Sequence, residues 1–287
     1  MFLPLRTSGE RELTWLLEQR SYPHIFVFLV MTFSLVNGRR TLAAKGLRGV
    51  CPACGSPTRA HCGSVYVHHW KHINTDDCDT WYEPISKWHI DWQNHFPVEW
   101  QENVIRKESI FHRADVLSPT GVVLEFQNSS IGLDEAIARE KFYGKMIWIL
   151  NGASFKENFH IAMEMPHDWM EEFDVNTVYP RLRPYFVRAK YSSTGNPRIK
   201  RAEELFLERY GGKPTVNNKV VYFWNHPRKT WFECSMPVFI DFGDEVIWRL
   251  GPKYTLTKYT KNEFIQKYNP MSADRTKNPN QELFGII

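Results

Sequence analysis

The sequence predicts an α/β fold, a mixed sheet flanked by helices, with a small Cys/His module ahead of it and a mostly β region behind. Three observations carry this expectation. Between Trp81 and Gly152, helical and strand-like patterns follow one another in the order αβββαβ. Four of the five cysteines fall between Cys51 and Cys78, among several histidines. Four short β-like runs then succeed one another from Lys219 to Leu250. The expected units are an introductory segment over 1–49, a zinc-binding module over 50–80, a core over 81–165 and an accessory, mostly β domain over 166–287.

In the first unit the apolar run from Ile25 to Val36 is shorter than the roughly 20 residues a membrane helix needs, and no small-residue cleavage pattern follows it. A buried strand or core helix is the expectation, and no membrane partner is implied. The basic, Gly-punctuated stretch NGRRTLAAKGLRG closes the segment.

The core begins with Pro84, which suits a first helical turn, and Ile85, Trp88, His89, Trp92 and Phe96 recur at helical spacing until Pro97 stops them. Three strands are expected next, Glu102 to Lys107, Phe111 to Leu117 and Gly121 to Gln127, the last two joined by the turn signal Ser118-Pro119-Thr120-Gly121. A second helix from Leu133 to Gly144 and a buried strand from Met146 to Leu150 complete the unit. Beyond Pro166, the stretch from Arg181 to Arg201 interleaves basic residues with Tyr185, Phe186 and Tyr191, and Arg188, Lys190, Arg198 and Lys200 are candidate nucleic-acid contacts there.

Composition narrows the function classes. Hydrophobic residues at 43% and charged residues at 24% belong to an ordinary globular chain, so disordered and fibrous readings fall away. A net charge of +4 excludes a binder resting on bulk charge, so any polyanion must meet a local patch. An odd number of cysteines with a CxxC turn points to metal ligands in a reducing, cytoplasmic compartment instead of a disulfide framework.

A loop of odd length centred on Thr120 places Asp115 opposite Glu125 on one sheet face, with Gln127 two residues on. Opposed carboxylates repel, and a hard divalent cation such as Mg²⁺ or Mn²⁺ relieves the repulsion while it activates water and offsets charge on a phosphodiester. The chemistry implied is hydrolysis. The plainer alternative makes Asp115 a turn residue and Glu125 a solvated strand residue, but VVLEFQ reads as a central strand, where a lone charge needs a partner. Arg113, Arg139 and Tyr143 are candidate phosphate contacts, and for Arg139 a structural ion pair with Glu135 or Glu140 is the competing reading.

In CPACGSPTRAHCGSVYVHHWKH the Cys51/Cys54 knuckle precedes a histidine pair, His69 with His72 or His68 with His72, at a spacing that suits a closed structural zinc site. Cys62 and Cys78 are substitutes for one histidine.

Taken together, CPACG, HHWKH, EPISKWH, HRADV, LEFQNSSI and MIWILNG, in that order from Cys51 to Gly152, resemble the competence-protein CoiA-like family of predicted nucleases in the PD-(D/E)xK superfamily. The resemblance covers about a third of the chain. It implies a restriction-endonuclease-like core, a metal-dependent nuclease acting on DNA, Asp115 and Glu125 as metal ligands, and Gln127 where lysine is usual. It also matches Glu83 to an acidic residue that completes the metal site and His89 to the family's histidine on the first helix, where a core histidine packed beside Trp88 and Trp92 is the alternative. Two departures stand out. Gln127 brings no positive charge, leaving Arg113 or Lys71 to supply it, and the EPISKWH element has Ile85 and Lys87 where relatives carry further acids. A catalytically silent, zinc-containing DNA-binding protein is the competing expectation, and a homodimer is compatible with either.

Overall fold

The computed structural model describes residues 30–63, 67–73, 78–81, 86–169, 204, 208, 211–224 and 226–270. The first strands are β1 (Val30–Met31), β2 (Phe33–Val36), β3 (Arg39–Leu42), β4 (Arg48–Val50), β5 (Pro57–His61) and β6 (His69–His72). They form an antiparallel sheet in the order β1-β6-β5-β4-β2-β3. Asn37 and Gly38 close its β2–β3 hairpin with φ of 51° and 76°, the pair of positive values a tight two-residue hairpin turn requires. The described part of the apolar run, residues 30–36, thus forms two strands with a bend at Thr32 between them, and β4 runs across the expected boundary at 49/50.

The remaining elements are α1 (Lys87–Gln93), β7 (Gln101–Lys107), β8 (Ile110–Leu117), β9 (Val123–Gln127), α2 (Leu133–Tyr143), β10 (Met146–Asn151), β11 (Phe159–Pro166), β12 (Thr215–Trp224), α3 (Thr230–Glu233), β13 (Val238–Asp241), β14 (Val246–Leu250), β15 (Thr255–Thr260) and α4 (Lys261–Tyr268). Their strands form one mixed sheet of order β11-β12-β15-β14-β13-β10-β9-β8-β7, in which β10 runs parallel to both β9 and β13. The architecture is α/β and strand-rich, and the αβββαβ order expected of the core is present.

The expected accessory domain after residue 165 is corrected here. β11 crosses that boundary, and β12 to β15 extend the core sheet through the β10–β13 pairing instead of building a second one. Val238 and Ile240 on β13 share a buried cluster with Met146, Trp148 and Leu150 on β10, so the later strands complete the core of the earlier ones.

All five β9 residues are buried, as a central strand covered on both faces requires. On one face Trp92 and Phe96 pack on Leu124, Phe126, Ile147 and Ile149, and on the other Ala136 of α2 packs with Val123, Met146 and Trp148. Ser86 caps α1 by accepting from His89 N, and Gly144 ends α2 at φ 72°, where a side chain would be strained. Among the described residues no helix is long and apolar enough to cross a membrane.

Candidate active site and metal centre

The β8–β9 hairpin sets the geometry of the first centre. Ser118 N donates to Val122 O and Gly121 N to Ser118 O, with Gly121 at φ 74°, so the loop is centred on Thr120. The strand pairs are Val116 with Leu124 and Leu117 with Val123, the register that brings Asp115 and Glu125 together. At that step the ladder changes character. Asp115 N donates to the Glu125 carboxylate (Oε1, 3.3 Å) and Phe126 N donates to the Asp115 carboxylate (Oδ2, 2.8 Å). Each acid thus fills the backbone gap beside the other, where β8 and β9 part. Glu102, on the neighbouring strand, takes φ 44° and turns its carboxylate to accept from Thr32 N and Phe33 N of the first sheet.

Two basic side chains face these carboxylates. His89 Nε2 of α1 lies 3.2 Å from Asp115 Oδ1, and Arg139 Nη1 of α2 lies 3.0 Å from Glu125 Oε2. Arg139 is only 4% exposed and also grips Glu135 one helical turn back. Of the two readings of Arg139, the buried ion pair describes its placement, with Glu125 and Glu135 as partners and not Glu140. Burial opposes the charge of Asp115, but the His89 ring and the Phe126 N–H outweigh it and hold the carboxyl below its usual range. Burial and the Asp115 charge push Glu125 the other way, up to about 8, against the pull of Arg139.

Around this pair stand Tyr143, whose phenol is pushed up by burial and by Glu125, Asp79 and Asp115, and Gln127, whose Nε2 donates to Ser129 O at 3.2 Å. Arg113 lies half-buried on β8. Burial works against its charge, but Glu102 and Asp79 more than offset this, and Cys51 and Cys78 add to the negative field it meets. Glu83, Arg188, Lys190, Arg198 and Lys200 lie outside the described residues.

The position of α1 is fixed from β13, two strands away from β9 on the same face of the sheet. Asp241, 2% exposed at the end of β13, accepts from the indole N–H groups of Trp88 and Trp92, both at 2.8 Å, and pairs with Lys261 at 3.0 Å. Through Trp88 and Trp92 it holds the helix that carries His89.

The second centre brings together Cys51, Cys54, His72 and Cys78, whose ligand atoms all lie within 4.8 Å of one another. Cys51 Sγ is 3.8 Å from Cys78 Sγ, and Cys54 Sγ is 3.4 Å from His72 Nε2. His69 is not among them, which corrects the expected pairing. Strand residues three apart point to opposite faces, so on β6 His72 turns inward while His69 stacks on His61 at 5.5 Å. Cys62 and His68 are likewise outside the group. The donor set suits a soft metal. The contact with Cys78 draws the Cys51 thiol far down and the same contact pushes Cys78 up, and a metal would hold such cysteines as thiolates.

Sequence reasoning missed the joint between the two centres. Asp79, one residue past Cys78, accepts from Arg113 N at 2.7 Å and pairs with His112 Nδ1 at 2.7 Å, while Trp81 stacks on the His112 ring. No local spacing ties residues 79 and 112, so only the fold reveals the contact. A cavity of about 480 Å³, lined by Trp231, Phe232, Met236, Arg249, Lys253 and Tyr254 among others, holds none of the residues singled out from the sequence.

No family profile, curated protein or solved structure matches the chain.

Proposed function

We propose that the chain is a metal-dependent nuclease hydrolysing DNA phosphodiester bonds, with a PD-(D/E)xK-type, restriction-endonuclease-like core and a structural zinc site in the preceding sheet. The observation that carries this reading is the interlock of Asp115 and Glu125 at the parting of β8 and β9, where a half-buried aspartate and a buried glutamate lie within reach of each other's backbone. Such a pair is costly in the sheet interior unless a cation or a proton is shared.

Asp115 and Glu125 would hold Mg²⁺ or Mn²⁺, and a cation there would lower the pKa of a bound water and offset charge developing on the phosphate. His89 orients Asp115 from α1, Arg139 orients Glu125 from α2, and Gln127, fixed by Ser129 O, lies on the Glu125 side of the strand. Cys51, Cys54, Cys78 and His72 would complete a closed, tetrahedral Cys₃His zinc site with no position left for substrate. The zinc site is read as structural because it fastens β4, β6 and the segment leading through Asp79 to His112.

The test is cleavage of linear, circular and single-stranded DNA and of RNA, with and without Mg²⁺ or Mn²⁺. Metal-dependent cleavage that disappears in Asp115→Asn and in Glu125→Gln, with circular dichroism unchanged, supports the proposal. Cleavage retained in either variant removes that residue from its role. One observation favours a catalytically silent DNA-binding protein: His89 and Arg139 already meet the two carboxylates. DNA affinity without cleavage under any of these metals selects that reading.

A further inference from the structure

The outward face of the first sheet carries a row of cations set by strand register. Arg48 on β4 pairs directly with Arg59 on β5, and Arg59 pairs directly with Lys71 on β6. One step along, His61 faces His69. Directly paired residues share a sheet face, and neighbouring strands stand about 4.8 Å apart, so three side chains of like charge cross the sheet in a line of roughly 10 Å. The alternate residues Thr58, Trp70 and His72 are buried on the other side, which fixes the row as the outer face.

Like charges directly opposite one another are destabilising, and here two successive pairs are of that kind. Arg59 Nε donates to His61 Nε2 at 2.9 Å. Burial followed by Arg59, His69 and Lys71 holds the His61 imidazole below its usual value. On the same face Val50, 42% exposed, pairs with Pro57. A base-stacking platform needs exposed aromatic rings, whereas this surface offers charge in a line, the pattern that meets successive phosphates.

We propose that Arg48, Arg59 and Lys71 form a docking surface for the phosphodiester backbone of a nucleic acid, with His61 and His69 at its margin. This rests on the reading of the chain as a protein acting on DNA, and it places the electrostatic contact on the zinc-bearing sheet, away from the carboxylate centre. The surface reads backbone charge and not sequence, so it supplies affinity and register, leaving strand scission to Asp115 and Glu125.

The experiment is fluorescence anisotropy of fluorescein-labelled oligo-dT, the matching duplex and oligo-U, titrated with the full chain between about 50 and 200 mM salt. Arg48→Ala, Arg59→Ala, Lys71→Ala and the triple variant are compared with Lys258→Ala on the far sheet and with Asp115→Asn. Each row variant is expected to lower the slope of log affinity against log salt by about 0.7 on a single strand or about 0.9 on duplex, with metal content and circular dichroism intact. Lys258→Ala and Asp115→Asn are expected to keep the slope. A triple variant with unchanged affinity and slope overturns the proposal, as does association with phosphatidylglycerol vesicles in the absence of any nucleic-acid binding. Loss of cleavage with row-dependent binding preserved in Asp115→Asn supports both readings. Row-dependent binding by a wild-type chain that cleaves nothing supports the docking surface while ending the nuclease assignment.

Discussion

The Cys/His centre and the carboxylate centre solve the same electrostatic problem in different ways. Cys51, Cys54, His72 and Cys78 converge from a tight turn, a strand and the segment after it, and they supply four metal-type ligands to one point. Asp115 and Glu125 supply two, and each is already answered from a helix, by His89 and by Arg139. The first set converges as one that could hold a metal. The second is held by contacts from two helices. Under the proposed function these two constructions would suit a structural metal and an exchangeable catalytic one.

The largest effect separates the centres outright. Cys78→Ser, or removal of metal by a strong chelator, is expected to abolish zinc retention and melt the first sheet, because binding energy at a structural zinc site is folding energy of order 10 kcal/mol. Zinc content by plasma mass spectrometry, with thermal melting, checks this. His69→Ala is expected to retain one zinc per chain. If His69→Ala loses zinc and Cys78→Ser keeps it, the ligand set is wrong.

Smaller, and specific to the carboxylate centre, is the loss from Arg139→Ala. It leaves Glu125 buried beside Asp115 without its guanidinium, and breaking a buried pair in this way costs about 3–5 kcal/mol in urea unfolding. Pairing it with Glu125→Gln is expected to recover most of that. A loss below about 1 kcal/mol would show that Arg139 is not what holds the centre together.

A third measurement lies outside both centres and calibrates them. Burial opposes the charge of Glu140, but Ser235, Met236 N and the Trp148 indole outweigh it and hold the carboxyl below its ordinary value. A lowered folded-state value contributes stability above the unfolded glutamate value of about 4.3, lost as pH falls through the folded one. Glu140→Gln is therefore expected to cost about 1–3 kcal/mol at pH 7, with the difference from wild type shrinking below pH of about 4. A cost independent of pH would assign the effect to shape instead of charge.

Local patterns in the sequence foretell the register of the carboxylates but not their companions. The odd loop centred on Thr120 is dictated by Gly121 and the turn residues around it, so the meeting of Asp115 and Glu125 is readable from spacing alone. Helix α2 is legible from Leu133 to Gly144 for the same reason. The ligand set is not, because HHWKH gives no sign of whether its histidines ride on a helix or a strand, and strand alternation turns His69 away. Nor does any run of residues announce that β13 will pair parallel to β10, which needs a crossover between segments far apart in the chain. Asp241 illustrates the point: it anchors Trp88 and Trp92 across some 150 residues of sequence, and only the finished sheet brings them together.

The central claim is that Asp115 and Glu125 jointly grip a divalent cation. Titrating Mn²⁺ into the zinc-loaded chain by isothermal calorimetry tests it most directly. One ion per chain is expected beyond the zinc, and that binding should vanish in Asp115→Asn and in Glu125→Gln while zinc content and melting stay unchanged. Equal Mn²⁺ binding by wild type and both variants, or none by any of them, would contradict the account.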